Sequence, residues 1–361
     1  MRKTEIVKVN LGKRSYSIHL GEKLSQVGII VKELNISKNL LLVSDSKVFH
    51  YYGETIKKSL EKQGYGVFVA KIPHGEKYKS LNQAIKLYEK CVRSKLERGS
   101  AILALGGGVI NDLAGFVAAT YLRGINFIAL PTTLLAQVDA SIGGKVGVDL
   151  SQAKNLVGSF YQPRAVLIDL ETLKTLPSRE IKNGLSEVVK YGIIKDKSLF
   201  EYLEKNLEKI KKLNISSLQR IIEKSVRIKA GIVSRDEREE EGEREILNFG
   251  HTIGHSIEAA GDYKNYRHGE AVSIGMLKAT EIAVAMHLCP SDLLLRIEKL
   301  LRRIGLSTRI EKIDKRKIYQ GLFLDKKKRG GKLHFILPRK LGDVFICENV
   351  PFRLIKKVLQ K

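Results

Sequence analysis

Residues 101–121 read AILALGGGVINDLAGFVAATY. The apolar run 101–105 ends in Gly106-Gly107-Gly108, and from 111 to 121 the apolar residues fall at helical spacing. A short continuous apolar run closed by glycines and followed by a helix is a buried strand turning into a helix. Three glycines there let backbone amides approach an anion at the helix N-terminus, where the dipole favours negative charge. The spacing departs from G-x-G-x-x-G: Gly106 and Gly108 fit, and Asn111 stands in the third place. Taken alone, the stretch is either a pyrophosphate cradle or a tight turn.

The same alternation continues on both sides. Residues 4–9 and 14–20 predict two alternating strands joined around Gly12-Lys13 as a hairpin. Short apolar strands are expected at 39–44, 67–72, 127–130 and 166–170, with helices at 47–63, ending at Gly64, and at 81–96. Strands that are apolar throughout need both faces covered, which predicts a mostly parallel sheet with helices on both faces. After Pro177 helical periodicity takes over, at 178–195, 197–211, 215–233, 246–260, 269–287, 291–304 and 314–322. A late hairpin at 332–337 and 343–347 and a helix at 351–360 follow. The expected organisation is an α/β N-terminal domain over 1–176 and an all-α, mainly helical C-terminal domain over 177–361.

Composition narrows the function. The 361 residues carry a formal charge of +25 and 43% hydrophobic residues, as expected of a globular chain with a sizeable core. The lysines are spread along the whole sequence, acidic stretches at 201–208 and 236–245 interrupt them, and the basic run 326–329 has no aromatic interleaving. Such diffuse charge argues against nucleic acid and for an anionic metabolite. No signal peptide opens the sequence, and the greasiest segment, 271–289, holds Lys278 and Glu281, so no membrane association is expected. Cys91, Cys289 and Cys347 form no disulfide framework, which fits a cytoplasmic protein.

Several motifs carry chemistry. Pro131-Thr132-Thr133 follows a strand, and its hydroxyls either bind a ligand or cap the helix 134–139. Residues 72–79, IPHGEKYK, bring Glu76 and Lys79 to the carboxyl edge of the sheet, where open α/β sheets bind ligands. Residues 139–155 form a polar, glycine-bearing loop with Lys145, Lys154 and Asn155. In 186–192, SEVVKYG, Glu187 and Lys190 share a helix face, as a salt bridge or as the source of a carboxylate ligand. Within 244–270, His251 and His255 lie one helical turn apart, as helices present imidazoles to a metal, and His268-Gly269-Glu270 offers a further ligand.

In order along the chain, GGGVIND at 106–112, YLRGINFIALPTTLLAQVDASIGGKVGV at 121–148, KNLVGSFYQP at 154–163, SEVVKYG at 186–192, RDEREEEGEREILNFGHTIGHSIE at 235–258, HGEAVSIGM at 268–276 and DKK at 325–327 resemble the 3-dehydroquinate synthase family. The resemblance spans nearly the whole chain. It implies a Rossmann-like NAD domain, a helical metal-binding domain, a cleft between them and a homodimer. It implies Zn2+ or Co2+ held by Glu187, His251 and His268, with His255 a pocket histidine. NAD contacts carry over to Asp45, Glu76, Lys79, Gly107, Gly108, Asp112, Thr132, Thr133, Lys145, Lys154, Thr172 and Thr175. The pocket for the substrate phosphate carries over to Lys145, Asn155, Arg244 and Lys326 or Lys327, and other substrate contacts to Asp139, Lys190, Lys229, Asn248 and His255. Arg123 matches an arginine that reaches the partner subunit's site. Val146, Asp149 and Ser151-Gln152-Ala153 depart from the family pattern in the substrate loop. The implied substrate is 3-deoxy-D-arabino-heptulosonate 7-phosphate (DAHP). The alternatives are another sugar phosphate cyclase, or a polyol or iron-type alcohol dehydrogenase.

Overall fold

In the computed structural model, residues 4–150, 154–311, 313–328 and 333–360 are described, with the backbone alone for 323–328. Its strands and helices, in chain order, are β1 (Glu5–Val9), β2 (Tyr16–Leu20), α1 (Val27–Glu33), β3 (Asn39–Asp45), α2 (Ser46–Val48), α3 (Glu54–Glu61), β4 (Gly66–Ile72), α4 (Leu81–Arg93), β5 (Ala101–Gly106), α5 (Gly108–Thr120), β6 (Asn126–Pro131), β7 (Lys145–Val148), β8 (Val157–Phe160) and β9 (Ala165–Ile168). There follow α6 (Ser178–Ile194), α7 (Lys197–Lys211), α8 (Ile215–Arg235), α9 (His251–Ala260), α10 (His268–Ala285), α11 (Ser291–Ile304), α12 (Lys315–Lys328), β10 (Phe335–Lys340), β11 (Asp343–Cys347) and α13 (Phe352–Gln360).

The 7-stranded sheet has the order β1-β2-β9-β6-β5-β3-β4. β1 and β2 pair antiparallel and the remaining neighbours pair parallel. The order reverses between β3 and β5, so their carboxyl ends form a topological switch point, the usual ligand edge of such a sheet. Register places Asp45 beside Ile72 and Gly106 beside Pro131, so the loops carrying Lys79, Gly107 and Thr132 all leave from this edge. Leu40, Leu42, Leu103 and Leu105 are fully buried against Ile56 and Leu60 of α3. Each such side chain contributes about 1.5–3 kcal/mol by leaving water.

Local differences from the sequence expectations have local causes. α5 begins at Gly108, earlier than position 111, because Asn111 donates to the carbonyls of Gly106 and Gly107 and closes the turn into the helix. The helix expected at 246–260 is broken: a 3-10 turn over Glu243–Asn248 precedes Gly250, whose φ of +79° ends the turn and lets α9 start afresh at His251. The loop expected at 139–155 contains β7, paired with β8 as a hairpin. Helix α1 was not expected. Ser151-Gln152-Ala153 lie outside the described residues.

The chain forms two compact units, residues 1–177 with 218–238, and residues 178–217 with 239–361. The segment 218–238, expected in the helical domain on its periodicity, therefore belongs with the sheet. Arg227 pairs with Glu5 at 2.8 Å, the Asn10 amide donates to Ser234 Oγ at 2.9 Å, and Lys229 pairs with Asp139 at 2.6 Å. Periodicity reports that a helix has an apolar face and not which core receives it. Among the described residues no helix is long and apolar enough to cross a membrane.

Candidate functional site

In the second unit, α6 turns a polar face inward: Asn183, Ser186, Glu187 and Lys190 are all buried, Glu187 at 0% and Lys190 at 1% exposure. Glu187 and Lys190 form an ion pair one helical turn apart. The start of α10 is pressed against this face, because the Gly269 amide donates to Asn183 Oδ1 at 2.6 Å and a Cβ at Gly269 would lie 2.2 Å from the Asn183 carbonyl oxygen. His268 Nε2 thereby comes to 3.7 Å from Glu187 Oε1. α9 reaches the same point through close helix packing. A Cβ at Gly275 would lie 1.9 Å from the Gly250 carbonyl oxygen, and one at Gly254 3.2 Å from Val272 Cα. His251, the first residue of α9, places its Nε2 also 3.7 Å from Glu187 Oε1. Its Nδ1 is 3.1 Å from the Phe249 carbonyl, which can only accept, so the Nε2 lone pair is left for a ligand.

One donor atom each from Glu187, His251 and His268 lies within 4.8 Å of the others. Two imidazole nitrogens and one carboxylate oxygen, buried together, match the ligand set of catalytic zinc sites, and cobalt accepts the same donors. Burial, and then the charge of Lys190, hold the His251 pKa well below its ordinary value, which keeps the ring neutral and ready to bind. Burial also opposes charge on His268, but Glu187 and Glu258 outweigh it and raise this pKa to about 10. A cation is thus favoured where those carboxylates converge. His255, one turn after His251, stands outside this trio and belongs to a second group with Glu258 and His268.

In the first unit the sheet edge fits a dinucleotide. The glycine turn is tight: a Cβ at Gly106 would lie 2.7 Å from Ile110 Cγ1, and one at Gly107 3.0 Å from Thr133 Cγ2. Bare backbone therefore faces the N-terminus of α5, as phosphate binding requires. Thr132 Oγ1 is buried there with no hydrogen-bond partner among the described residues. Beside it, Lys79, at 4% exposure, holds Asp112 Oδ2 at 2.6 Å, Asn155 Oδ1 at 2.5 Å and Asp149 Oδ1 at 3.8 Å. Burial disfavours its charge, but Asp112, Glu76 and Asp149 more than compensate and raise the Lys79 pKa. Asp149, the departure from the family pattern, also accepts the Asn155 amide at 3.0 Å, and Asn155 takes a left-handed φ of 56°. Lys154 pairs with Glu76 at 3.0 Å.

The remaining candidates are placed as follows. Asp45 ends β3 and caps α2 through the Lys47 and Val48 amides. Thr172 accepts from Gln137 at 3.0 Å, and Thr175 meets the Tyr52 hydroxyl at 2.5 Å. Lys229 donates to both the Asp139 carboxylate and its carbonyl. Lys145 opens β7 with its Nζ 6.0 Å from the Phe160 ring. Arg123 sits in a strained turn, φ 65°, after Leu122 at φ 51°. In the second unit Arg244 is 2% exposed, and Asn248 donates to Glu239 at 3.0 Å. The side chains of Lys326 and Lys327 lie outside the described residues. Sequence reasoning missed Asn183, which positions α10, and Glu258. The second had a visible signal, since it lies two helical turns after His251 on the face of both α9 histidines.

The family description "3-dehydroquinate synthase N-terminal" matches residues 69–183, and "3-dehydroquinate synthase C-terminal" matches residues 184–328. A 3-dehydroquinate synthase from Rippkaea orientalis is 47% identical over 358 residues, 98% of each chain. One from Acetivibrio thermocellus is 45% identical over 352 residues, 97% of each chain. Among solved structures, a 2-epi-5-epi-valiolone synthase from Streptomyces hygroscopicus, with NAD+ and Zn2+ bound, superposes with a TM-score of 0.89 at 26% identity, covering 100% of this chain and 98% of that one. A 2-deoxy-scyllo-inosose synthase, complexed with carbaglucose-6-phosphate, NAD+ and Co2+, gives 0.88 at 30% identity, covering 98% and 99%. A sulfoacetaldehyde reductase from Bifidobacterium kashiwanohense, at 14% identity and a TM-score of 0.68, shares the fold alone. With both family descriptions matched and nearly half of the sequence shared end to end with its members, the chain belongs to the 3-dehydroquinate synthase family.

Proposed function

We propose that the chain converts DAHP to 3-dehydroquinate and inorganic phosphate, using NAD and one divalent metal ion, Zn2+ or Co2+. The observation that carries this is the Glu187–His251–His268 donor set in a chain 47% identical, end to end, to a 3-dehydroquinate synthase. The two superposable cyclases of other specificity share only 26% and 30% of their residues with it, which favours the heptulosonate over their substrates. When bound, NAD supplies a reversible hydride acceptor for a substrate carbinol and the metal supplies Lewis acidity at the neighbouring oxygens.

The protein's own residues bind and orient. Glu187, His251 and His268 would hold the metal. The bare backbone at Gly107 and Gly108, with Thr132 and Thr133, would cradle the dinucleotide phosphates, while Lys79, already fixed by Asp112, Asn155 and Asp149, contributes a preset positive charge. Lys145, Asn155, Arg244 and a lysine of 326–327 would receive the substrate phosphate, the arginine as a planar fork and the lysines as point charges. With the carbinol oxidised, the adjacent C–H would be acidified, and phosphate would leave by β-elimination with its own oxygen taking the proton. With the hydride returned and the ring closed by an aldol step, the overall conversion would be redox-neutral. Asp139, Lys190, Lys229, Asn248 and His255 would contact the substrate's hydroxyl and carboxylate groups. Positioning and fixed charge supply most of the catalysis in such a site. A homodimer, with Arg123 reaching the site of the second copy, completes the proposal.

The deciding experiment is incubation with DAHP, NAD and Zn2+. Phosphate and 3-dehydroquinate should form in equal amounts with no net NADH, whereas stoichiometric NADH would identify a dehydrogenase instead. Lys79→Met should weaken NAD binding by roughly ten- to a hundredfold, the loss of a hydrogen bond to a charged group. Calorimetric titration with NAD measures this, and an unchanged affinity would remove Lys79 from the cofactor site.

A further inference from the structure

Both ring nitrogens of His268 are engaged by carboxylates from different helices. Nε2 lies 3.7 Å from Glu187 Oε1, from α6, and Nδ1 lies 3.3 Å from Glu258 Oε2, from α9. Glu258 is 7% exposed. Burying a carboxylate costs several kcal/mol unless it is compensated, so its place beside an imidazole needs a physical reason. His251 offers the comparison, since its Nδ1 is taken by the Phe249 carbonyl and its Nε2 faces Glu187. The two histidines are therefore arranged alike, one through a backbone acceptor and the other through a buried acid. α9 makes this possible by its spacing: His251, His255 and Glu258 share one face, and the glycine contacts with α10 bring that face against the first residue of α10.

We propose that Glu258 is a positioning residue of the metal centre, accepting the Nδ1–H of His268 so that the ring is held with its Nε2 lone pair towards Glu187 and His251. A carboxylate in that place fixes the tautomer, sets the ring plane and makes the imidazole a stronger donor than a neutral acceptor would. The inference rests on the metal-centre assignment above and extends it to a residue outside the ligand set. The rival arrangement uses the same residues: His255, Glu258 and His268 also offer donor atoms within 4.8 Å of one another, as a second cation site would. That rival requires His268 to give up the protons of both ring nitrogens, whereas the positioning role keeps one N–H bonded to Glu258 and asks only for the ordinary neutral imidazole.

The test uses the full chain stripped with chelator and then titrated with Zn2+ against a competing chelator, for the wild type, Glu258→Gln and Glu258→Ala. The visible absorption bands of each Co2+-loaded protein are recorded alongside. The wild type should bind one ion per chain. Glu258→Ala should bind it about 10- to 100-fold more weakly, the usual effect of removing a residue that orients a ligand. Glu258→Gln, which preserves shape and an acceptor oxygen without the charge, should fall between, with cobalt bands displaced from those of the wild type. If Glu258→Ala does not fold, the glutamine variant carries the comparison. Zinc affinity within twofold of wild type in the folded variants, with unchanged cobalt bands, would overturn the proposal while leaving the metal centre intact. Two ions per wild-type chain, reduced to one on loss of Glu258, would replace it with the second-site reading. No metal bound by the wild type would overturn the metal centre and this inference together.

Discussion

Glu187→Gln should leave the protein without stoichiometric metal and lower the rate of phosphate release from DAHP by at least about a thousandfold, the scale of a lost Lewis acid worth several kcal/mol. The substitution is nearly isosteric, so packing around α6 changes little. What it removes is the only negative charge that the trio would bring to a divalent cation, since His251 and His268 would ligate as neutral rings. It also leaves the Lys190 ammonium buried beside an amide. Truncating one member of a buried ion pair typically costs about 3–5 kcal/mol, so folding of the variant must be checked by circular dichroism before metal is counted. Elemental analysis after gel filtration gives the metal content, and a phosphate assay gives the rate. A variant that kept one tightly held ion per chain would show that Glu187 is not a ligand.

The second large effect is on stability. Gly275→Ala should destabilise the helical unit by about 3 kcal/mol or more, at the upper end of overpacking. The added methyl would lie 1.9 Å from the Gly250 carbonyl oxygen, 2.9 Å from its carbon and 3.0 Å from the Gly254 amide nitrogen. All three are backbone atoms, so no side chain can rotate away and α9 must move off α10. Because His251 stands on one of these helices and His268 on the other, metal affinity should fall with stability. Gly231→Ala is the matched control. It lies inside α8, where the nearest atom to a new Cβ is Arg235 Nη1 at 3.6 Å, an ordinary contact. Alanine there should be neutral or stabilising by roughly 0.5–1 kcal/mol, the helical preference for alanine over glycine. Urea denaturation of the metal-free proteins separates the two, and equal midpoints for Gly275→Ala and wild type would refute the packing account.

Much of this is legible in the sequence. Continuous apolar runs at 101–105 and 127–130, the first closed by glycines and the second by Pro131, predict buried strands of a parallel sheet, and both are buried and pair in parallel. The metal trio was legible through the family resemblance more than through spacing. The helical pattern alone paired His251 with His255, because i,i+4 neighbours are visible in sequence, whereas the approach of α10 to α6 is tertiary. Asn111 departs from the glycine motif in sequence, and only the folded turn shows its amide bonded to the carbonyls of Gly106 and Gly107. Gly250 falls inside the helix that periodicity predicts at 246–260, since its left-handed φ and its close approach to Met276 exist only after α9 and α10 meet. Glu258 is half legible for a related reason: periodicity shows the face it shares with His251 and His255, but its partner His268 opens the next helix.

The return of residues 218–238 to the sheet has a consequence for synthesis. Neither compact unit is a continuous piece of sequence. Glu5 of the first strand waits for Arg227, 222 residues later, and Asp139 waits for Lys229, 90 residues later. A ribosome that has released only the first 177 residues has therefore made every strand of the large sheet but not the helix bearing Ile221, Ile222 and Val226, all fully buried in the finished protein. Such distant pairings slow folding, because chain closure must be completed before the contacts repay it. A fragment cut at Pro177 as a free-standing nucleotide-binding module would leave Glu5 and Asp139 without these partners, so dissection of the chain has to retain the helix or graft a substitute for it.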